Sequence, residues 1–121
     1  MVVNENSPKR GEVWLVDFDP TKGAEIRKTR PALILQNDAG NVFSPLTIVA
    51  AITSQVDVKR FPIAVPIPLS EGGLVHRSLV LLNQIRTIDK KTQLIKRLGC
   101  VSVQTMEHVN HSLSISLGLP L

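Results

Sequence analysis

The chain has 121 residues, which is long enough to form one domain around a buried core. Of these residues 43% are hydrophobic and 20% are charged, as is ordinary for a globular protein. Fourteen basic residues against ten acidic residues give a net charge of +4, which favours an anionic partner such as nucleic acid or an acidic protein segment. The single cysteine, Cys100, excludes an intramolecular disulfide, and no apolar run is long enough for a membrane span, so we expect a cytoplasmic protein without membrane association.

The N-terminal residues are polar and offer little surface to bury. Residues 1–9, which include Asn4, Glu5 and Asn6, predict a disordered leader. The remaining residues, 10–121, contain no internal repeat, heptad run or low-complexity tract, and they predict a single domain.

The next part of the chain has the pattern of three strands. Residues 12–18 are rich in β-branched and aromatic side chains and predict the first strand, while apolar runs over 32–36 and 47–53 predict two strands buried on both faces. Asparagine, glycine, serine and proline predict a loop over 37–45. The connection over 19–29 is long for a hairpin, which is typical of a functional loop.

Further strand patterns follow in the second half of the chain. Residues 61–68 have strand composition but contain three prolines, so we expect an edge strand or an extended segment. Residues 78–88 predict a strand that bends or continues past Asn83. Residues 89–91 end that strand and predict a helical turn.

The C-terminal segment changes to helical spacing. Its apolar residues fall on one helical stripe: Val103, Met106, Val109, Leu113 and Leu117. Ser102 is a suitable N-cap and Gly118 a suitable stop, so the pattern predicts a helix of about 15 residues. Strands followed by one terminal helix predict an α+β domain, a small curled or barrel-like sheet capped by a helix.

Metal and nucleotide motifs are poorly represented. His108 and His111 are three residues apart on the predicted helix and Cys100 is near in sequence, but without a paired cysteine motif the pattern favours a solvated helix face over a zinc site. The chain also lacks a Walker phosphate loop, a Gly-x-Gly-x-x-Gly turn and a Gly-x-Ser-x-Gly elbow. We therefore expect neither a metal nor a cofactor.

The junction of Arg30 and Pro31 is the most informative local feature. Proline fixes its own φ and favours extended geometry at Arg30, so a permanent cation is placed at the edge of a rigid apolar strand. This arrangement suits a phosphate site, although a solvent-exposed strand start has the same pattern.

Thr53 ends another buried strand. A guanidinium and a hydroxyl suit RNA cleavage without a metal, because the ribose 2′-hydroxyl is the nucleophile and the protein has to align it and neutralise phosphoryl charge.

Four blocks of sequence, taken in order, resemble the MazF/PemK (Kid) toxins. The blocks are residues 10–25, 29–35, 48–53 and 83–89, and the resemblance covers nearly the whole chain from Arg10. It implies an SH3-like β-barrel, the CcdB/PemK-like toxin fold, with a C-terminal α-helix. It also implies a homodimeric toxin with a cognate acidic antitoxin, which cleaves single-stranded mRNA at a short sequence without a metal. The products implied are a 2′,3′-cyclic phosphate and a 5′-hydroxyl.

The resemblance also implies roles for individual residues. Arg30 and Thr53 match the family's arginine and hydroxyl partner, and Glu25 matches an acidic loop residue, so these three are the candidate catalytic residues. Because a guanidinium cation has no lone pair that can accept a proton, we expect Arg30 to stabilise charge. The candidate RNA-binding residues are Thr21, Lys22, Gly23, Arg27, Lys28, Asn83 and Gln84. Arg86, Thr87 and Asp89 recur in the family within the last block, and they are interpreted as structural or as supporting a dimer.

Two departures from the Kid pattern affect the mechanism. Kid-like members have Arg-x-Asp before the last block, where this chain has Leu81 and Asn83, and a histidine beside the loop glutamate, where this chain has Ala24. These replacements disfavour Kid-type acid–base chemistry and favour a mechanism that uses Arg30 and Thr53.

Two other functions remain possible on the sequence. CcdB toxins share the implied fold but inhibit DNA gyrase by binding, through the C-terminal end of the helix. Here residues 114–121 are mainly apolar and lack the Trp-Gly-Ile type of ending, which argues against gyrase binding. The other alternative is an inactive member that only binds antitoxin, which the presence of Arg30 and Thr53 disfavours.

Overall fold

Six antiparallel strands form one sheet in the computed structural model, which describes residues 7–18, 28–55 and 62–121. The strands are β1 (Glu12–Asp17), β2 (Thr29–Ile34), β3 (Leu46–Thr53), β4 (Ala64–Ile67), β5 (Ser78–Asp89) and β6 (Leu94–Cys100). The helices are α1 (Asp38–Phe43), α2 (Lys90–Gln93) and α3 (Val103–Leu117). The spatial order of the strands is β4-β5-β3-β2-β1-β6.

The α+β class and the C-terminal helix predicted from the sequence are confirmed. The sheet differs from a closed barrel, because β4 and β6 lie at its two edges and the pairings among the described strands leave it open. None of the helices in the described ranges combines the length and the apolar character that a membrane crossing requires.

Both faces of the sheet carry buried apolar residues. On one face, Val13, Leu33 and Ala50 pack in a cluster that includes Val109 of α3, so this is the face that the helix covers. On the other face, Val16, Ala32, Ile34, Val49, Ala51 and Ile88 form a second cluster together with Phe18. The alternation of side chains along each strand therefore divides β2 and β3 between two cores, which explains their uninterrupted apolar sequences.

The bounds of α3 agree with the sequence prediction, but its buried face differs. The Ser102 hydroxyl accepts a hydrogen bond from the Thr105 amide at 3.1 Å, and Gly118 ends the helix with a φ of 70°. Val103 is 77% exposed and Leu117 is 56% exposed, so the predicted apolar stripe is wrong at both ends. Thr105 is buried instead, because its hydroxyl donates to the Glu71 carboxylate at 2.7 Å.

Two elements differ from the sequence predictions. The loop predicted over 37–45 contains α1, because the Asn37 side chain accepts from the Gly40 amide at 2.7 Å and caps the helix. Strand β6 was not predicted, since its alternation is broken by register shifts against β1. The predicted edge strand over 61–68 is confirmed as β4, and the helical turn at 89–91 is confirmed as α2.

Strand β5 contains an irregularity at the position where a bend was predicted. Ala50 pairs with Ile85 while the next residue, Ala51, pairs with Leu81, so residues 82–84 are extra relative to β3. Asn83 and Gln84 therefore lie in a bulged segment, and such segments redirect side chains out of the regular sheet.

A glycine turn closes over one end of β6. The Gly72 amide donates to the Cys100 carbonyl at 2.9 Å, and Gly73 has a φ of +67°. A Cβ atom on Gly73 would lie 2.0 Å from the Leu98 carbonyl oxygen, so only glycine fits this crossing.

Candidate active site

Arg30 lies at the point where β2 separates from β3. Its pairing partner on β1 is Val16, and the β1–β2 ladder continues from residue 29 to Leu33. The β2–β3 ladder, by contrast, begins only at Ala32. Pro31 lies directly before this start and has no N–H to donate, so the sequence Arg30-Pro31 marks the end of pairing between the two strands.

Thr53 occupies the corresponding end of β3. Ala32 pairs with Ala51 at the end of the β2–β3 ladder, and Arg30 and Thr53 each lie two residues beyond that pair. Ala32 and Ala51 belong to the core on the face opposite α3. Because side chains alternate between faces, Arg30 and Thr53 lie on that same face, one step beyond the buried core. That these two residues belong to one site stays a prediction.

The two side chains are available for a ligand. Arg30 is exposed, and its guanidinium has no hydrogen-bond or ion-pair partner among residues 7–18, 28–55 and 62–121. The Thr53 hydroxyl oxygen accepts a hydrogen bond from the Gln55 amide at 3.1 Å. That contact orients the hydroxyl and leaves its hydrogen to be donated. The pair thus offers a cation and a hydroxyl donor, both of which complement a phosphoryl oxygen.

Arg86 supports the strand end that carries Arg30. Its guanidinium carbon lies 5.4 Å from the centre of the Phe18 ring, and its Nη1 donates to the Phe18 carbonyl at 2.9 Å. The Phe18 amide in turn donates to the Lys28 carbonyl at 2.9 Å. Lys28 has a φ of 65°, a strained value for a residue with a side chain. The base of the β1–β2 connection is therefore tied to β5.

The other predicted site residues fall into two groups. Glu25 and four of the predicted RNA-binding residues lie outside the described residues: Thr21, Lys22, Gly23 and Arg27. Lys28 is exposed beside β2, whereas Asn83 and Gln84 lie in the bulge of β5, which is two strands away from β2. Asn83 is exposed and Gln84 is half-buried.

One cation near this site was missed by the sequence analysis. Arg77 directly precedes β5, and the second residue after it, Leu79, pairs with Thr53. The available signal was its position before an apolar strand, which parallels that of Arg30. In the described part of the chain, no group of three or more histidine, cysteine, aspartate and glutamate side chains is arranged to hold a metal.

Comparison with known proteins gives the family. Residues 9–117 match the family described as PemK-like, MazF-like toxin of type II toxin–antitoxin system. A curated relative, Endoribonuclease MazF of Staphylococcus saprophyticus, is 44% identical over 111 residues, which cover 92% of each chain.

Solved structures give the same result for the fold. The chain resembles MazF of Deinococcus radiodurans with a TM-score of 0.82 and 26% identity, covering 95% of this chain and 100% of that one. It also resembles an endoribonuclease from mycobacterial species, in complex with its cognate antitoxin, with a TM-score of 0.75 and 28% identity, covering 96% and 98%. These matches do not favour the CcdB-like gyrase inhibitor. From its sequence and its fold, the chain belongs to the PemK-like, MazF-like toxins of type II toxin–antitoxin systems.

Proposed function

We propose that this chain, an endoribonuclease toxin of a toxin–antitoxin module, cleaves single-stranded RNA at the strand end formed by Arg30 and Thr53. The observation that carries the proposal is the exposed Arg30 guanidinium, which lacks a partner among the described residues. Like Thr53, Arg30 lies two residues beyond the Ala32–Ala51 pair, on the same face of the sheet. Stabilising the charge that develops on a phosphoryl group is the main task in such a reaction.

The reaction is a transesterification within the substrate. The ribose 2′-oxygen forms a bond to phosphorus, the bond from phosphorus to the 5′-oxygen breaks, and the products are a 2′,3′-cyclic phosphate and a 5′-hydroxyl. The 2′-hydroxyl gives up a proton and the leaving 5′-oxygen takes one up. Since the nucleophile belongs to the RNA, the proposal requires no metal and no cofactor.

Each catalytic residue has a distinct role in this scheme. Arg30 remains protonated and neutralises the charge on the non-bridging oxygens, while the Thr53 hydroxyl donates a hydrogen bond to one of them. Glu25, which lies outside the described residues, supplies the carboxylate that accepts the 2′-hydroxyl proton.

The remaining candidate residues bind the RNA around the scissile bond. Arg27 and Lys28 contact phosphates, and the neighbouring Thr21, Lys22 and Gly23 shape the channel. Asn83 and Gln84 hold or read a base, since amide side chains pair with base edges and the bulge of β5 presents them away from the regular sheet. This reading of bases accounts for cleavage of mRNA at a short sequence.

Charge and exposed apolar surface support the proposed partners. A net charge of +4 suits both RNA and an acidic antitoxin segment, and a relative of similar fold has been solved with its cognate antitoxin. The C-terminal residues Leu117, Leu119 and Leu121 are each more than half exposed, which supports a homodimer that covers them. We place the toxin in the cytoplasm, where mRNA is available.

The test is to map cut ends across a long transcript with purified protein in EDTA. Cleavage at discrete sites that leaves cyclic phosphate and 5′-hydroxyl ends is expected, and Arg30→Ala is expected to abolish it. A Lys96→Ala variant serves as the control, because it removes an exposed positive charge from β6, at an edge of the sheet. Cleavage that depends on added Mg²⁺ would overturn the proposed chemistry.

A further inference from the structure

A groove at the β4 edge of the sheet lies beside the proposed catalytic strand end. It has a volume of about 450 Å³. It is lined by Pro66, Ile67, Pro68, Leu69, Arg77 and Ser78. None of these lining residues is acidic, and Arg77 is the single cation among them.

The pairing of strands fixes the position of the groove relative to the catalytic pair. Pro66 pairs with Leu79, and Leu79 pairs with Thr53. Neighbouring strands are about 4.8 Å apart, so Pro66 lies about 10 Å from Thr53, on the side away from Arg30. The groove and Thr53 therefore belong to one row of paired residues that crosses β3, β5 and β4.

Arg77 is available to an anionic ligand in the groove. It is exposed, and its guanidinium has no hydrogen-bond or ion-pair partner in the described ranges. The turn that carries it is fixed from the next residue, because the buried Ser78 hydroxyl donates to the His76 carbonyl at 2.9 Å. Beside this cation, Leu69 is 61% exposed and Pro66 and Pro68 are also exposed, so an apolar surface adjoins the charge.

We infer that this groove is a substrate subsite that binds a nucleotide next to the scissile phosphate, with Arg77 on its phosphate and the base against Pro66 and Leu69. The inference rests on the proposed function for the position of the scissile bond. An unpartnered cation next to an apolar platform complements a nucleotide, since it matches both the phosphate and the face of an unstacked base. Continuity with the Arg30–Thr53 strand end selects RNA over a second protein chain as the occupant.

The experiment measures cleavage and binding of oligonucleotides shortened one nucleotide at a time from either end. Binding is measured with oligonucleotides that carry a 2′-deoxy sugar at the cleaved position, since these cannot react. Arg77→Ala is expected to raise KM about tenfold with little change in kcat, as for one lost charge-assisted contact. It is also expected to lower the slope of log affinity against log salt by about 0.7, the value for one phosphate contact on a single strand.

The length series separates a local subsite from a general electrostatic effect. Removal of one particular nucleotide is expected to weaken binding by the wild type as much as Arg77→Ala weakens binding of the full oligonucleotide. Removal of the same nucleotide is expected to cause no further loss of affinity in the Arg77→Ala variant. The subsite would be overturned if Arg77→Ala lowered the affinity relative to wild type by the same factor for oligonucleotides of every length, or did not lower it at all. Lys96→Ala is the matched control because β6 lies at the opposite edge of the sheet from the groove.

Two further readouts are needed. One distinguishes an RNA subsite from a protein-binding surface, and the other tests the subsite independently of the catalytic pair. If Arg77→Ala changes only dimerisation or antitoxin binding, the groove belongs to a protein partner and the inference is wrong. If Arg30→Ala cleaves normally while Arg77→Ala shows the expected KM effect, the proposed catalytic pair fails but the subsite stands. Partial rescue of KM by Arg77→Lys is expected, since lysine keeps the charge without the planar donor geometry.

Discussion

Arg86 makes two contacts with Phe18. Its guanidinium carbon lies 5.4 Å from the centre of the ring, and its Nη1 donates a hydrogen bond to the Phe18 carbonyl oxygen at 2.9 Å. Phe18 is buried at the end of β1, and its amide bonds to Lys28 at the beginning of the returning chain. The two ends of the connection that precedes Arg30 are therefore joined to β5 through one arginine.

Arg86→Ala is expected to lower the free energy of unfolding by about 1–3 kcal/mol, because a partly buried carbonyl loses its charged donor. It is also expected to lower kcat, because the strand end that carries Arg30 loses its support. Arg86→Lys should recover less than half of either effect, since an ammonium group does not stack and donate in the same plane. Urea denaturation and cleavage kinetics check the two effects. Full activity in a destabilised Arg86→Ala would show that the contact does not position the site.

Arg30→Ala is expected to separate activity from stability. Since the side chain is exposed and without a partner among the described residues, the free energy of unfolding should change by less than about 0.5 kcal/mol. Cleavage should fall by about 10²–10³-fold or more, as when one donor to a developing negative charge is removed. Thermal denaturation and cleavage rates are measured together. A loss of activity matched by a large loss of stability would indicate a structural role instead.

Thr53→Val replaces the hydroxyl by a methyl group of similar size. We expect cleavage to fall by about 10–100-fold, because one hydrogen bond to the phosphoryl oxygen is lost. Thr53→Ser keeps the hydroxyl and should retain most activity, which makes it the matched control. Single-turnover rates on one oligonucleotide give the comparison. Equal activity of the valine and serine variants would remove Thr53 from the mechanism.

Glu12 is expected to make stability depend on pH in the acid range. Burial opposes its ionisation, but hydrogen bonds from the Lys9 amide, the Trp14 indole and the Arg97 guanidinium together hold its pKa below the usual value. Because the pKa is lower in the folded than in the unfolded state, ionised Glu12 stabilises the fold at pH values above the unfolded-state pKa of about 4.3. This contribution disappears as the pH falls through the folded-state pKa.

The measurement for Glu12 is urea denaturation between about pH 3 and pH 7. Glu12→Gln is expected to be less stable than wild type at neutral pH, and the difference should shrink below about pH 4.3. Glu107→Gln, a change at an exposed residue of α3, provides the control. A difference between wild type and Glu12→Gln that stays constant with pH would contradict the expectation.

Gly73→Ala is expected to be among the most destabilising single changes, at about 3 kcal/mol or more. Its Cβ would meet the Leu98 carbonyl oxygen at 2.0 Å, and the neighbouring Gly72 and Gly99 leave the backbone no room to move away. Gly118 has nearly the same φ, +70°, but no atom within 4 Å of the added Cβ. Gly118→Ala should therefore cost only about 1–2 kcal/mol, the intrinsic penalty of a left-handed residue. Similar melting temperatures for the two variants would refute the steric argument.

Local signals predicted most of the elements. The bounds of α3 follow from Ser102 and Gly118, and the buried strands follow from their apolar runs. The missed β6 contains Lys96, Arg97 and Gly99, and register shifts hide its alternation. Such shifts depend on the partner strand, so they cannot be found from the segment alone.

The residue types of the candidate site could be read from the sequence, whereas their arrangement in the fold could not, and the assignment of the site stays a prediction. The extended geometry of Arg30 follows from Pro31, but its placement on the same face as Thr53 depends on the register between β2 and β3, which hydrophobic pattern alone leaves open. Arg77 precedes an apolar strand as Arg30 does, but its relevance depends on β4 and β5, which bring a groove next to Thr53.

An open sheet leaves two strands able to recruit strands from other molecules, which is a hazard for a protein that accumulates. At one margin, Pro66 interrupts the row of amide donors along β4. At the other, the Gly72 amide occupies the Cys100 carbonyl, and Lys96 and Arg97 add charge to a strand already distorted by register shifts. Both margins are thus poor templates for the addition of a further strand, although the sheet stays open.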